Sequence, residues 1–293
     1  MIPYREHSIQ CLSPAGLHRV AYTEWGDPHN PRVLVCVHGL ARVGRDFDDL
    51  ARALCDDYRV VCPDIVGRGR SDWLADPMHY QISQYVSDMV TLLARLDAAS
   101  VHWIGTSMGG LIGLGLAAMP HTPIERLVLN DVGPLLKAEA LKRIAEYLGQ
   151  SPVFSDFAQA LAYIRAISAS FGLTTEAQWR RLAEASLVPV QGGGLRLHYD
   201  PAIAVPMRAQ GTGSVDIDLW HIYDAIRCPT LVVRGAQSDL LDRATVAAMA
   251  TRGPHAATVE IPAVGHAPMF MDAGQIGVVK DFLLNPHPKG RQS

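Results

Sequence analysis

The 293-residue sequence has little net charge and no cluster of basic residues. Charged residues make up 19% of the chain, hydrophobic residues 48%, and the formal net charge is −3. No run of five or more Lys and Arg residues occurs. Such a chain lacks the basic surface that nucleic acid or an anionic membrane attracts. We therefore expect its partners to be small molecules or, in a homo-oligomer, other copies of itself.

The sequence also lacks paired cysteine motifs and long apolar segments. No C-x-x-C pair occurs, and an odd number of cysteines suits a reduced compartment better than a disulfide framework. The longest apolar stretch, 111–119, is interrupted by glycine and is about half the ~20 residues that span a bilayer. The first residues, M-I-P-Y-R-E-H-S, lack the apolar segment of a secretory signal. These features predict a cytoplasmic protein. The five cysteines are Cys11, Cys36, Cys55, Cys62 and Cys228.

Motifs for metals and nucleotides are also missing. No Cys/His cluster has the spacing of a metal site. The glycine-rich segment 64–71, D-I-V-G-R-G-R-S, has neither the lysine of a phosphate-binding loop nor the G-x-G-x-x-G spacing. We expect no metal and no cofactor, and we interpret this segment as a tight turn in which Asp64 accepts backbone hydrogen bonds.

Strand and helix patterns alternate along most of the chain. The segment 32–39, R-V-L-V-C-V-H-G, is a continuous β-rich run of the kind that is buried on both faces of a sheet. Further strand-like runs follow, each separated from the next by a helical pattern. This succession predicts an α/β fold with a mostly parallel, doubly wound sheet. Residues 1–26 are expected to add an antiparallel hairpin at its edge.

The alternation stops between residues 134 and 215. Three amphipathic helical patterns occur there with no strand pattern between them. The sequence therefore predicts a discontinuous core, 1–133 and 216–293, with a helical cap, 134–215, inserted into it.

The segment Gly105-Thr106-Ser107-Met108-Gly109 fits the pattern G-x-S-x-G. It follows a predicted strand and opens a predicted helix, which is where a nucleophile elbow lies. The small neighbours permit a tight turn that holds the hydroxyl above the sheet, at a helix N-terminus that favours negative charge. We predict that Ser107 is a nucleophile.

A serine hydroxyl needs a base, and the base needs an acid. His266 follows the last predicted strand, so it lies at the same edge of the sheet as Ser107. Two aspartates end suitable strands, Asp239 after L-V-V-R-G-A-Q-S and Asp131 after R-L-V-L-N. The chain order Ser–Asp–His holds for both. We favour Asp239 and keep Asp131 as the alternative, whose other interpretation is a polar residue that bonds the turn into the insert.

An oxyanion hole needs two backbone N–H groups. The N–H that follows the nucleophile belongs to Met108. The second candidate is Leu40, in the His38-Gly39-Leu40 segment that ends the first buried strand. We interpret His38 as a residue that orients this loop.

Five motifs occur in an order that resembles the α/β-hydrolase superfamily, and the resemblance covers nearly the whole core. By that similarity Ser107, Asp239 and His266 match the triad and Leu40 and Met108 the oxyanion donors, while 134–215 matches the cap in position only. The motifs are H-G-L, D-I-V-G-R-G-R-S, G-T-S-M-G-G, R-G-A-Q-S-D and V-G-H-A-P.

The resemblance implies a serine hydrolase that cleaves a small-to-medium carboxylic ester or lactone through an acyl-enzyme. An alternative is a carbon–carbon bond hydrolase of aromatic ring-fission products, although Thr106 and the short H-G-L-A loop depart from that group. A second alternative is a catalytically slow ligand-binding receptor on the same fold. Dehalogenases and epoxide hydrolases of this fold have aspartate where Ser107 stands, so neither activity is expected.

The apolar faces of the cap helices predict a closed, apolar pocket that excludes long-chain lipid. Four arginines flank this edge and could receive one carboxylate: Arg42, Arg45, Arg68 and Arg70. The candidates for lining the pocket are Leu135, Phe154, Tyr163, Trp179 and Trp220.

Overall fold

The computed structural model describes residues 4–209 and 215–285. Parts of the predicted hairpin (1–3), cap (210–214) and C-terminal core (286–293) lie outside the described residues. The strands, in chain order, are β1 Arg5–Ser13, β2 Gly16–Trp25, β3 Val33–Val37, β4 Arg59–Pro63, β5 Val101–Thr106, β6 Ile124–Asn130, β7 Leu135–Leu136, β8 Val153–Phe154, β9 Leu187–Pro189, β10 Leu195–Leu197, β11 Ile217–Asp218, β12 Thr230–Gly235 and β13 Ala257–Ile261.

Eight of these strands form one mixed sheet in the order β1-β2-β4-β3-β5-β6-β12-β13. From β4 to β13 all pairs are parallel, and β2 is antiparallel to both β1 and β4. The predicted parallel sheet with an antiparallel edge hairpin is therefore confirmed. Because the strands from β4 to β13 run in one direction, the turns that follow them meet at one edge.

Helices cover both faces of this sheet. Alternate residues of β3 pack in different hydrophobic clusters. Val35 lies with residues of the helices Ile82–Leu96 and Met108–Ala117, and Cys36 with residues of the helices Asp48–Leu54 and Ala273–Leu284. That two-sided burial explains the continuous apolar run in the sequence. The helices are α1 Asp48–Leu54, α2 Ile82–Leu96, α3 Met108–Ala117, α4 Ala138–Tyr147, α5 Phe157–Ile167, α6 Glu176–Ser186, α7 Val205–Ala209, α8 Trp220–Tyr223, α9 Arg243–Met249 and α10 Ala273–Leu284.

Helices α4 to α8 lie in the stretch between β6 and β12, together with two small sheets of order β8-β10-β9 and β11-β7. Side-chain caps begin two of these helices. Asp156 accepts the Gln159 N–H at α5, and Thr175 and Gln178 form a capping box at α6. The loop between α5 and α6 touches the core, where Ser170 O accepts the Gly265 N–H.

The glycine-rich segment 64–71 is the tight turn that the sequence predicts. The buried Asp64 carboxylate accepts the backbone N–H groups of Gly44 and Arg70 at 2.8 and 3.0 Å. Gly69 has φ +54°, and a Cβ there would lie 2.3 Å from Asp64 Cγ. Only glycine therefore fits at that point of the turn.

Three potential metal ligands lie together beneath the edge hairpin. Cys11, His18 and Asp88 are buried within 4.8 Å of one another. His18 Nε2 lies 3.1 Å from both Asp88 carboxylate oxygens, and the Gln84 amide donates to the same carboxylate. Cys11 Sγ donates to the backbone carbonyl of Asp88 at 3.9 Å, so these contacts join β1 and β2 to α2.

No helix in the described residues is both long enough and apolar enough to cross a membrane.

Candidate active site

Ser107 stands between β5 and α3 in a strained backbone conformation. Its φ is +52° and its ψ is −114°, a combination that side-chain-bearing residues rarely adopt. The helix that follows holds the turn, because Ser107 O accepts the N–H groups of Gly110 and Leu111. The hydroxyl therefore projects at the N-terminus of α3, as a nucleophile elbow requires.

The two glycines of the G-x-S-x-G pattern permit this turn by close packing. A Cβ on Gly105 would lie 2.1 Å from the carbonyl oxygen of Gly109. A Cβ on Gly109 would lie 2.1 Å from the carbonyl oxygen of Val37, on the neighbouring strand. Any side chain at either position would push α3 away from the sheet.

A chain of hydrogen bonds joins Ser107 to His266 and His266 to Asp131. Ser107 Oγ donates to His266 Nε2 at 3.0 Å, and His266 Nδ1 donates to Asp131 Oδ2 at 2.7 Å. Because a carboxylate accepts hydrogen bonds, this geometry places a proton on Nδ1 and turns Nε2 towards the serine hydroxyl.

Asp131 follows β6 and is completely buried. Its Oδ1 accepts the Gly235 N–H at 2.8 Å, and its Oδ2 accepts the Ser238 hydroxyl at 2.6 Å as well as the imidazole. Gly235 is the last residue of β12, which neighbours β6 in the sheet, and Ser238 lies in the turn that follows β12. Three donors thus converge on this buried carboxyl group.

The favoured prediction of Asp239 as the partner of His266 is wrong in this structure. Asp239 belongs to the turn after β12, but that turn directs Ser238 towards Asp131. The next residue, Asp239, is 58% exposed and forms an ion pair with Arg143 at 2.8 Å. The alternative aspartate, Asp131, occupies the position beside the imidazole.

The His266 loop reaches Ser107 from the edge strand β13 by crossing over β12. A Cβ on Gly235 would lie 2.2 Å from Gly265 O, so glycine is needed where the loop crosses. Asn130 supports the loop on its other side, donating to Thr106 Oγ1 at 2.9 Å and to Pro268 O at 2.8 Å. Asn130 and Ser238 were not predicted from the sequence. The signal that could have identified them is a polar side chain at the end of a strand or shortly after it.

The loop that follows β3 lies against the nucleophile. A Cβ on Gly39 would be 3.8 Å from Ser107 Cβ, and Leu40 and Met108 both line the cavity above Ser107. Within the part of the chain that the structure describes, neither the Leu40 N–H nor the Met108 N–H donates to a protein acceptor. Both N–H groups could therefore donate to a ligand, and their role as oxyanion donors stays a prediction.

His38 holds this loop in place. The imidazole is completely buried, its Nδ1 donates to Gly39 O at 2.7 Å, and its Nε2 accepts the Ile65 N–H at 3.0 Å. Burial lowers the pKa of His38 to about 3, so the ring is neutral at physiological pH. A neutral ring can donate and accept in this way, as the orienting role requires.

Arg68 is a buried cation that contacts both the loop after β3 and the first residue of α3. Its guanidinium donates to Leu40 O at 2.8 Å and to the Tyr85 hydroxyl at 2.9 Å, and it lies 3.6 Å from Met108 Sδ. Among residues 4–209 and 215–285 no carboxylate forms an ion pair with it. Arg68 therefore positions both residues whose N–H groups are the oxyanion candidates.

We expect Arg68→Met to lower kcat on a p-nitrophenyl ester by about tenfold or more, since losing one oxyanion donor outright costs roughly 10²–10³. The substitution removes the hydrogen bond to Leu40 O, which holds the loop that carries the Leu40 N–H. Steady-state kinetics and the unfolding temperature measure the effect. The matched control is Arg70→Met, in the same turn, where the side chain pairs with Glu6 and Asp64. Equal losses in the two variants would contradict a positioning role.

A cavity of about 710 Å³ opens above Ser107, and its lining is mostly apolar. Tyr163 lines it, as predicted, but the other four aromatic or apolar candidates do not. Phe154 is buried against Tyr163, and Leu135 pairs with Asp218 of β11. Trp179 and Trp220 lie beneath arginine side chains instead, Arg165 and Arg252 respectively. The lining includes His38, Leu40, Tyr85, Ser107, Met108, Leu111, Leu136, Leu141, Ile144, Tyr147, Tyr163, Ile203, Met207, Ile217 and His266.

The four arginines considered for a carboxylate are committed elsewhere. Arg42 is held bidentately by Asp46, Arg45 pairs with Asp48, and Arg70 pairs with Glu6. Arg68 is buried among carbonyl groups. A different arginine, Arg143 of α4, lines the cavity together with Asp239.

Known proteins resemble this chain over nearly its full length. The model of the alpha/beta hydrolase family matches residues 34–276. A 3-hydroxybutyrate-oligomer hydrolase of Cupriavidus necator is 59% identical over 281 residues, which cover 94% of this chain and 96% of that protein. The crystal structure of an alpha/beta hydrolase from Novosphingobium aromaticivorans is 38% identical, has a TM-score of 0.85, and covers 97% of this chain and 99% of its own. The crystal structure of a putative hydrolase from Rickettsia typhi is 32% identical and has a TM-score of 0.88. The match covers 96% of this chain and 98% of that one.

Proposed function

Because this chain belongs to the alpha/beta hydrolase family, we propose that it hydrolyses the ester bonds of short 3-hydroxybutyrate oligomers through a Ser107–His266–Asp131 triad. The observation that carries the proposal is the 59% identity, over 94% of the chain, to a hydrolase of such oligomers. The hydrogen-bonded chain of Ser107, His266 and Asp131 supports the same chemistry.

In the first half of the reaction Ser107 Oγ attacks the ester carbonyl and His266 Nε2 takes its proton. The negative charge on the carbonyl oxygen is stabilised by the N–H groups of Leu40 and Met108. His266 then gives the proton to the leaving alkoxide, which departs as the 3-hydroxyl group of the adjacent unit. A 3-hydroxybutyryl ester of Ser107 remains.

In the second half water takes the place of the alcohol. His266 accepts a proton from the water, and the resulting hydroxide attacks the acyl-enzyme carbonyl. The proton returns to Ser107 Oγ as the ester breaks, releasing 3-hydroxybutyrate or a shortened oligomer. The Asp131 carboxylate stabilises the imidazolium formed in each half, because it accepts the Nδ1–H bond.

The cavity suits a substrate of this kind. Its volume lies within the range of about 300–1,000 Å³ for small-molecule sites, and its apolar lining matches a chain of methyl-branched units. Several lining side chains, among them Tyr147, Ile167 and Ile217, are also substantially exposed. The cavity therefore opens to solvent beside the helices of the proposed cap, 134–215, which differs from the closed pocket expected from the sequence. No observation favours a carbon–carbon bond hydrolase or a slow receptor.

The test is hydrolysis of the 3-hydroxybutyrate dimer and trimer by the purified protein, with products separated by liquid chromatography. We expect release of 3-hydroxybutyrate, and steady-state rates in the ordinary enzyme range of about 1–10³ s⁻¹. Esters of p-nitrophenol from acetate to palmitate provide the comparison series. Hydrolysis of the palmitate ester with no turnover of either oligomer would contradict the proposal.

We also propose a cytoplasmic location. All five cysteines are unpaired in the structure, which suits a reduced compartment. Cell fractionation followed by immunoblotting would measure it, and recovery in a secreted or periplasmic fraction would contradict it.

A further inference from the structure

We infer, on the basis of the proposed function, that Arg143 binds the terminal carboxylate of the oligomer at the mouth of the cavity. A short 3-hydroxybutyrate oligomer is a chain of neutral esters with a single carboxylate at one end. A site specific for such chain ends needs one cation beside an otherwise apolar cavity. The substrate carboxylate would take the place of the Asp239 side chain on Arg143.

The geometry at the cavity mouth suits this exchange. Arg143 lies on α4 and Asp239 in the turn after β12, so their contact of 2.8 Å joins the stretch between β6 and β12 to the core. Both side chains line the cavity. They are 46% and 58% exposed, and an ion pair exposed to this extent contributes little stability. Separating the pair for a substrate carboxylate therefore costs little.

The guanidinium of Arg143 also has donors to offer. Across the described ranges, 4–209 and 215–285, its polar partner is Asp239, and its remaining N–H groups have no protein acceptor. Guanidinium groups bind carboxylates most strongly through two parallel N–H donors. A substrate carboxylate, unlike the tethered Asp239 side chain, can approach in that bidentate orientation.

Arg42 is the other arginine that lines the cavity, and its contacts exclude it from this role. Asp46 accepts from its Nε and Nη2 at 2.8 and 2.6 Å, and Ser186 Oγ accepts from its Nη1 at 2.8 Å. The pair is mostly buried, with side-chain exposures of 15% and 8%. Breaking it would leave a carboxylate without a partner in a dry environment, which is costly.

A carboxylate site at the mouth would select chain ends. A free oligomer acid would bind with its terminal carboxylate on Arg143 and its ester carbonyls in the apolar cavity. An internal segment of a long polymer carries no carboxylate and would gain nothing from Arg143. Asp239 would compete with every acidic substrate for the same guanidinium, and would not affect a neutral ester in this way.

The test compares the 3-hydroxybutyrate trimer as a free acid with its methyl ester, using the full-length chain. We expect Arg143→Gln to lower kcat/KM for the free acid by about tenfold, mainly through KM, as loss of a hydrogen bond to a charged group implies. The factor by which Arg143→Gln lowers kcat/KM for the methyl ester should be at least about fivefold smaller than the factor for the free acid. Asp239→Asn should raise kcat/KM for the acid relative to the ester, because it removes the competing charge.

Two further variants serve as controls. Arg143→Lys keeps the charge without the planar pair of donors and should lie between wild type and Arg143→Gln. Arg180→Gln removes an exposed arginine of α6 that pairs with Glu184, away from the cavity lining, and should leave the ratio of acid to ester unchanged. Equal losses on acid and ester in Arg143→Gln, or no loss on the acid, would overturn the inference.

An inhibition measurement separates this inference from the proposed function. The trimer acid is added as a competitor during hydrolysis of p-nitrophenyl butyrate, and its inhibition constant is measured in wild type and in Arg143→Gln. If the trimer is not hydrolysed, the proposed function fails, but an inhibition constant about tenfold weaker in Arg143→Gln would still support the carboxylate site. An unchanged or absent inhibition in both proteins would refute the site.

Discussion

Replacing Ser107 by alanine is expected to lower kcat by about 10⁶, the size of effect seen when a triad serine is lost. The hydroxyl is the atom that would bond covalently to the acyl group, and the described side chains offer no second nucleophile in contact with His266 Nε2. Removing one oxygen leaves the backbone of the turn and its glycine contacts in place. The fold and the unfolding temperature should therefore change little.

The measurement uses p-nitrophenyl butyrate and the oligomer substrates in parallel. A fluorophosphonate probe should label the wild-type protein at Ser107 and leave the alanine variant unlabelled. Ser83→Ala is a suitable control, because Ser83 also lines the cavity but lies at the start of α2. A Ser107→Ala protein that retains ordinary turnover would eliminate the proposed mechanism.

The elbow could be predicted from sequence because its requirements are local. The close approaches at Gly105 and Gly109 allow no side chain, so the pattern itself records the geometry. The same holds for the turn at 64–71, where Gly69 packs on Asp64. Where a close backbone contact involves residues of one short segment, the glycines in that segment indicate the contact.

The partner of His266 could not be settled in this way. Asp131 and Asp239 both follow strands of the parallel sheet, at the same edge and in the same chain order. The choice depends on how the turn after β12 orients its side chains, and the direction of the Ser238 hydroxyl decides it. The hydrogen bonds that Gly235 and Ser238 donate to Asp131 hold that hydroxyl in place, and the sequence does not reveal these bonds.

The pocket residues illustrate a second limit. Helical periodicity identifies the apolar face of a helix, but it does not say whether that face meets a cavity or another side chain. Tyr163 and Phe154 are in ring contact at 5.1 Å, and only Tyr163 lines the cavity. Arg143 was missed because a half-exposed arginine on a helix resembles any other surface residue.

Replacing Asp131 by asparagine is expected to lower kcat by up to ~10⁴, by analogy with a triad whose acid was changed to an amide. The carboxylate accepts the His266 Nδ1–H bond at 2.7 Å, which keeps the imidazole in the tautomer whose Nε2 can take the serine proton. An amide can present its NH₂ group to the ring and favour the opposite tautomer. It also removes the negative charge that stabilises the imidazolium.

The loss should fall on kcat more than on KM, since Asp131 is not among the residues that line the cavity. Asparagine is close to aspartate in size, and its carbonyl oxygen can still accept the Gly235 N–H, so the folded structure should persist. Measuring the unfolding temperature beside the kinetics separates a catalytic loss from a loss of folded protein. A protein that is fully folded and slow is the expected result.

Asp239→Asn is the matched control, because it makes the same chemical change at the other aspartate that the sequence allowed. Asp239 is 58% exposed and pairs with Arg143, and His266 bonds to Asp131 instead. On neutral p-nitrophenyl butyrate we expect it to lower kcat less than about tenfold, against up to ~10⁴ for Asp131→Asn. The opposite ranking would mean that the turn after β12 rearranges in solution to bring Asp239 onto the imidazole, and would refute Asp131 as the acid. Comparable large losses in both variants would mean that the Arg143–Asp239 contact is needed to hold the site together, and would refute its displacement by substrate.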